Sequence, residues 1–202
     1  VDFGSYPYVT SSHPTAGGCC TGLGVAPTAI DRVLGIAKAY CTRVGNGPFP
    51  TELENEAGEQ LRQKGAEFGA TTGRPRRCGW LDLVALRYTS MINGFSELAI
   101  TKLDILSGMD TLKVCTQYRY DGKTTRRFPS EPQSLERVEP VYETLPGWDA
   151  DITGVRHIED LPAEAREYLA FIADHLGVEI GLVSNGPRRD QIITDVQPMA
   201  AA

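Results

Sequence analysis

Apolar residues recur at three- and four-residue intervals in some stretches of this sequence and gather into short continuous runs in others. Ile30, Val33, Leu34, Ala37 and Cys41 keep a helical period after Pro27 and Thr28. A helix with one buried stripe is predicted to open there and to stop at the Gly45, Asn46, Gly47, Pro48, Phe49, Pro50 string. A polar helix is predicted from about residue 55 to 67, its long charged side chains in water. Another, near residues 81–92, sets Leu81, Val84, Tyr88 and Met91 or Ile92 on one face. Residues 161–176, after Asp160, form the clearest amphipathic pattern. Strands are predicted at residues 5–10, at 97–103 ending on Asp104, and at 178–183. Residues 112–120 and 124–128 flank Asp121-Gly122 and predict a hairpin. Residues 15–24 read as a loop of small residues, 129–160 as loops with one short strand, and 198–202 as a frayed tail. Alternating strands and helices argue an α/β fold.

Composition narrows this picture. The chain has 202 residues, 41% apolar and 23% charged, enough for a substantial core. A net charge of −6 speaks against a general nucleic-acid surface. No apolar run reaches the length of a membrane span. Five cysteines, with Cys19 and Cys20 adjacent, do not suggest a disulfide framework, and a reducing cytoplasm is the expected setting. The chain begins with Val1 and a strand-like segment almost at once, which reads as a piece of a longer protein.

Against the acidic background, one string stands out. Arg74, Arg76 and Arg77 lie within four residues, beside Thr71 and Thr72 and among Gly69, Gly73 and Gly79. Arginine offers a planar fork of donors that fits two oxygens of a carboxylate or phosphate at once. Glycines let backbone N–H groups approach an anion. The string reads as an anion receptor for a small molecule, although a solvated basic turn has the same composition. Three like charges and two glycines predict a mobile segment over residues 70–77.

Thr101, Lys102, Leu103 and Asp104 fall where a buried strand meets a loop, the usual place for ligands on α/β sheets. A lysine stem can lie on a purine face, and an aspartate can accept from N1–H and the 2-amino group of guanine. Adenine lacks both donors, so such a pair would select guanine. Taken alone, these four residues read more simply as a strand end with two solvated charges. Ser184, Asn185, Gly186 and Pro187 follow a second apolar strand and could complete a base pocket, or be only a turn. His13, His157 and His175 are scattered without metal-ligand spacing, so no metal site is expected. No G-x-x-x-x-G-K-[ST] string occurs, and the phosphates of any bound nucleotide would have to be held outside this chain.

Together these strings resemble the C-terminal half of adenylosuccinate synthetase. The resemblance is carried by Tyr6-Pro7-Tyr8-Val9-Thr10-Ser11-Ser12, residues 42–52 and residues 65–82. It is carried further by Thr101-Lys102-Leu103-Asp104, residues 142–148 and Ser184-Asn185-Gly186-Pro187, over nearly the whole chain. It implies the C-terminal portion of a P-loop-NTPase-like fold, a mixed sheet with flanking helices and a β-hairpin. Residues 1–95 would carry the first strand, helices and aspartate loop, and residues 96–202 the guanine-binding α/β part. The family joins IMP and L-aspartate into adenylosuccinate at the expense of GTP, with magnesium, as a cytoplasmic homodimer.

The resemblance also implies roles. Thr10, Val44 and Arg74 would meet IMP. Ala70, Thr71, Thr72, Gly73, Arg74, Pro75 and Arg76 would form the aspartate loop. Arg76, Lys102, Leu103, Asp104, Ser184, Asn185 and Gly186 would meet GTP. Asn185 stands where the family commonly has threonine, Arg188 where an acid is common, and Pro75 where some members have arginine. The family's catalytic aspartate and histidine, its phosphate loop and its magnesium ligands belong to the N-terminal half. No catalytic residue or metal ligand is therefore expected in this chain, which should be inactive alone. The alternative is a non-catalytic nucleotide- or anion-binding module.

Overall fold

The computed structural model describes residues 4–9, 13–129 and 131–196. Along the chain run α1 (Ala16–Leu23), β1 (Leu34–Lys38), β2 (Cys41–Arg43), α2 (Glu56–Lys64), β3 (Arg77–Gly79), β4 (Leu81–Asp82), α3 (Leu83–Asn93) and β5 (Glu97–Thr101). Then follow β6 (Thr111–Tyr120), β7 (Lys123–Thr125), α4 (Pro132–Leu135), β8 (Glu139–Pro146), α5 (Ala163–Leu176), β9 (Ile180–Ser184) and β10 (Ile192–Ile193). Strands β1, β5 and β9 lie side by side and parallel, and β10 closes the row antiparallel to β9. A second sheet is built on the long β6, which pairs with β4, β7 and β8. β2 and β3 form a small antiparallel pair.

The helices start and stop for local reasons. Asn55 caps α2 by accepting from Gly58 N at 3.2 Å, and Glu56 and Glu59 in its first turn with Arg62 and Lys64 in its last suit the helix dipole. Asp82 caps α3 by accepting from Val84 N and Ala85 N at 3.0 and 3.1 Å, and Gly94 ends it at φ 61. α5 buries Ala165, Tyr168, Leu169 and Ile172, one stripe at helical spacing. Tyr168 OH donates to the carbonyl of Ala39 at 2.6 Å, which pins α5 to the segment after β1. One core, including Tyr40, Leu61, Leu98, Leu103, Leu169 and Val183, runs through both the early and late parts of the chain.

Several expectations need correcting. The helix predicted after Pro27 is a 3-10 turn followed by strands β1 and β2. Of the residues that mimicked a helical stripe, Leu34 is exposed and Ile30, Val33, Ala37 and Cys41 are half-buried, while Gly35 is buried against Phe95 and Leu98 in the strand. Pairing with β5 decides the conformation over the local period. The expected loop at residues 15–24 contains α1, whose glycines hide it from propensity. Residues 4–9 carry turns and bends rather than a strand, and residue 10 lies outside the described residues. The short strand allowed for in 129–160 is the eight-residue β8, which pairs only with β6 and so accommodates Pro140 and Pro146 at a sheet edge. The predicted tail at residues 198–202 lies outside the described residues.

Candidate functional site

The parallel strands β1, β5 and β9 deliver Lys38, Thr101-Lys102 and Ser184 to the same, carboxyl-terminal edge of the sheet. That edge is where open α/β sheets hold ligands. The strand predicted over 97–103 ends at Thr101, because Lys102 turns left-handed at φ 60 and starts the 3-10 turn Leu103–Leu106. A non-glycine residue in that region is uncommon and requires support from its surroundings. The support is on Lys102 Nζ, which donates to Gly65 O at 2.5 Å and Glu67 Oε1 at 2.9 Å. Its head is thus fixed to the protein, and its side chain as a whole keeps 34% exposure.

Asp104 is half-buried, and among the described residues its carboxylate has no ion pair. Burial pushes its pKa above the ordinary 3.8, against its own backbone N–H and the nearby Lys102 charge. Leu103 is fully buried in the core, so it offers a ligand only its backbone. Across the gap, Ser184 Oγ donates to Gly186 O at 3.1 Å. Asn185 is fully buried and gives its amide hydrogens to Ile152 O at 2.5 Å and Val155 O at 2.9 Å. It anchors the 152–155 loop beneath the strand end, while its buried Oδ1 has no partner among the described residues.

The arginine string is a tight hairpin-like loop. Arg76 N donates to Glu67 O, Gly69 N to Arg74 O and Gly73 N to Gly69 O, at 2.8–2.9 Å. Gly73 supplies the φ of +65 that the tip requires. Ala70, Thr71, Thr72, Gly73, Arg74 and Pro75 are exposed. The three arginines have separate duties. Among the described residues the Arg74 side chain meets no acid. Arg76 gives Nη1 to Glu67 Oε2 at 2.9 Å, and its Nε is buried without a partner. Arg77 binds Glu52 through Nε (2.7 Å) and Nη2, and gives Nη1 to Gly45 O and Gly47 O. The repulsion that argued for mobility over residues 70–77 therefore concerns Arg74 alone. Arg77 also fastens the loop that carries Val44, which is 74% exposed. Thr10 lies outside the described residues.

Sequence reasoning missed the centre of the cluster. Glu67 was expected at the end of a polar helix in water, yet α2 stops at Lys64 and Glu67 is fully buried. Its Oε1 accepts from Lys38 Nζ at 2.8 Å, Tyr40 OH at 2.7 Å and Lys102 Nζ at 2.9 Å, and its Oε2 from Arg76. Burial alone would raise its pKa, but the bonds from Lys38, Tyr40, Lys102 and Arg76 outweigh it and hold the carboxyl at about 2. Burial and the Glu67 charge push the Tyr40 hydroxyl well above its usual range, so it remains a donor. One carboxylate thus ties the arginine loop to the Lys102 turn. The one signal for it in the sequence is Gly65-Ala66, which breaks the polar helix just before Glu67.

Among the described residues no three His, Cys, Asp or Glu side chains gather to hold a metal ion, and no helix is long and apolar enough to cross a membrane. Comparison with known proteins agrees with the strings identified above. Residues 1–193 match the family model for adenylosuccinate synthetase. The adenylosuccinate synthetase of Salinibacter ruber is 84% identical over all 202 residues, which cover 46% of that relative's length. That of Moorella thermoacetica is 56% identical over 198 residues, 98% of this chain and 46% of the relative. The chain thus spans about half the length of the curated relatives it matches. The solved structure of fully ligated adenylosuccinate synthetase from Plasmodium falciparum superposes with a TM-score of 0.93 at 43% identity, covering 96% of this chain and 46% of that one. With sequence, fold and family model in agreement, the chain belongs to the adenylosuccinate synthetase family.

Proposed function

We propose that this chain supplies the aspartate- and guanine-recognising part of an enzyme of purine nucleotide biosynthesis, a ligase that uses GTP to join IMP and L-aspartate into adenylosuccinate. The observation that supports this reading is the link through Glu67, which ties the arginine loop to the Lys102 turn. Arg74 and Arg76, with Thr71 and Thr72, bind the two carboxylates of aspartate. Arg76 keeps Nη1 on Glu67, which leaves its Nη2 for the substrate. Arg74 also approaches IMP, as do Val44 and Thr10. The Lys102 stem lies on the guanine ring, Asp104 accepts from N1–H and the 2-amino group, and the backbone of Ser184, Asn185 and Gly186 forms the opposite wall. Arg76, which shares Glu67 with Lys102, serves GTP as well.

The reaction itself is expected to phosphorylate the 6-oxygen of IMP, after which the aspartate amine displaces that phosphate. The residues of this chain bind and orient the reactants. Magnesium belongs to the family's chemistry, and its ligands are expected in the N-terminal half. A cytoplasmic homodimer is the assembly carried over from the family.

The test is Asp104→Asn in a complete synthetase containing this segment. One acceptor oxygen becomes a donor facing the guanine donors, for an expected loss of about 2–4 kcal/mol in GTP use. Inosine and xanthosine triphosphates should be tolerated better. An unchanged ratio of apparent affinities for GTP and these analogues would remove Asp104 from base reading.

A further inference from the structure

Two ligand-facing segments share a single counter-ion. Lys102 belongs to the turn after β5, and Arg76 to the end of the loop between α2 and β3. The two side chains reach opposite oxygens of Glu67, Nζ on Oε1 and Nη1 on Oε2. Lys38, from the end of β1, and Tyr40 complete the shell on Oε1. Glu67 is fully buried, and its own backbone is fixed at both ends. Its N–H donates to Arg62 O and its carbonyl accepts from Arg76 N, both at 2.9 Å. Arg62 Nε in turn holds Arg76 O at 2.9 Å. The carboxylate therefore has little freedom to follow one cation without the other. A lysine displaced toward a base, or an arginine drawn toward a carboxylate, changes the charge that the other one faces.

We propose that Glu67 is a positioning residue that couples the two recognition elements, so that occupancy of the guanine pocket sets the affinity of the arginine loop for its dicarboxylate. The proposal rests on the assignment of Lys102 to GTP and Arg76 to aspartate. Glu67 touches neither ligand. It orients the Arg76 fork and holds the Lys102 head so that only the stem is offered to the base. A nucleotide that settles Lys102 on Glu67 fixes the carboxylate for Arg76 as well, and binding linkage makes the effect reciprocal.

The test uses a complete synthetase containing this segment, with steady-state kinetics in aspartate, GTP and IMP. Glu67→Gln keeps the shape but loses the charge, and its amide nitrogen turns a donor toward Arg76 or Lys102. The KM for aspartate and the KM for GTP should each rise tenfold or more, while the KM for IMP moves less than threefold. A role confined to folding would reduce kcat through the active fraction and leave the KM values in place. A folded Glu67→Gln enzyme with the parent's KM for either aspartate or GTP would overturn the proposal.

If Glu67→Gln does not fold, Lys102→Met decides. At GTP concentrations saturating for that variant, its KM for aspartate should still rise at least fivefold, although Lys102 does not contact aspartate. A rise in the KM for GTP alone would overturn the coupling and leave the guanine assignment standing. No change in either would overturn the guanine assignment and the coupling with it.

Discussion

The charge on Glu67 should be visible in stability as well as in kinetics. In the folded chain the carboxyl is held at about 2 against an ordinary value of 4.5. The folded value is the lower one, so the stabilisation is complete above about pH 4.5 and fades as the pH falls toward 2. At about 1.4 kcal/mol per pH unit, the difference is worth roughly 3 kcal/mol at neutral pH. Removing one partner of a buried ion pair costs about 3–5 kcal/mol. Lys38, Arg76 and Lys102 keep 27%, 32% and 34% exposure, so water recovers part of that cost and favours the lower figure. Glu67→Gln should therefore destabilise the chain by about 3 kcal/mol at pH 7. Urea unfolding can be followed through Trp80 and Trp148, both buried in the core. Between pH 5 and pH 2 the parent should lose its advantage and the two curves should converge. A deficit below about 1 kcal/mol at pH 7, or one that stays constant down to pH 2, would refute the assignment of a buried charge to Glu67.

Three further expectations concern other parts of the molecule. In a complete synthetase, Arg74→Leu and Arg76→Leu should each raise the aspartate requirement sharply at saturating GTP and IMP, since each removes a guanidinium contact to a carboxylate; parental aspartate kinetics in both variants would make the loop a solvated basic turn. The 202-residue chain alone should form no adenylosuccinate from IMP, aspartate, GTP and magnesium, and turnover in a preparation free of host enzyme would contradict this. Tyr118→Phe removes the hydroxyl that donates to the buried cap residue Asp82 and should lower stability by about 1–3 kcal/mol in thermal melts, whereas an unchanged midpoint would mean the cap does not need it.

What the sequence disclosed depended on how local each cause is. α3 and α5 and the hairpin of β6 and β7 are legible because caps, period and turn residues lie within the segments themselves. The stretch from residue 30 to 41 is not, because Ile30, Val33, Leu34, Ala37 and Cys41 satisfy a helical period while β5, some sixty residues later, dictates a strand. β8 is hidden by its prolines, which only an edge position tolerates. In the candidate site, the arginine string stands out because three clustered cations are unusual in an acidic chain, whereas the lysine–aspartate pair is ordinary taken alone and gains its reading from the resemblance. Glu67 is not, since an acid near the end of a charged helix is ordinary until three cations from other segments surround it.

The separate duties of the three clustered arginines bear on how substitutions in this string should be judged. Arg77 spends its guanidinium on Glu52 and two loop carbonyls and lies over the Phe49 ring at 5.5 Å. A lysine has neither the plane nor enough donors for that task, so even this conservative exchange would act on protein abundance. The Arg74 side chain holds nothing in place among the described residues, so its loss should leave abundance untouched and, on the proposed role, act on the aspartate requirement. Arg76 lies between these two cases. In any survey of variants, identical residues three positions apart would thus fall into opposite classes, and a score built on residue type would confuse a folding defect with a binding one.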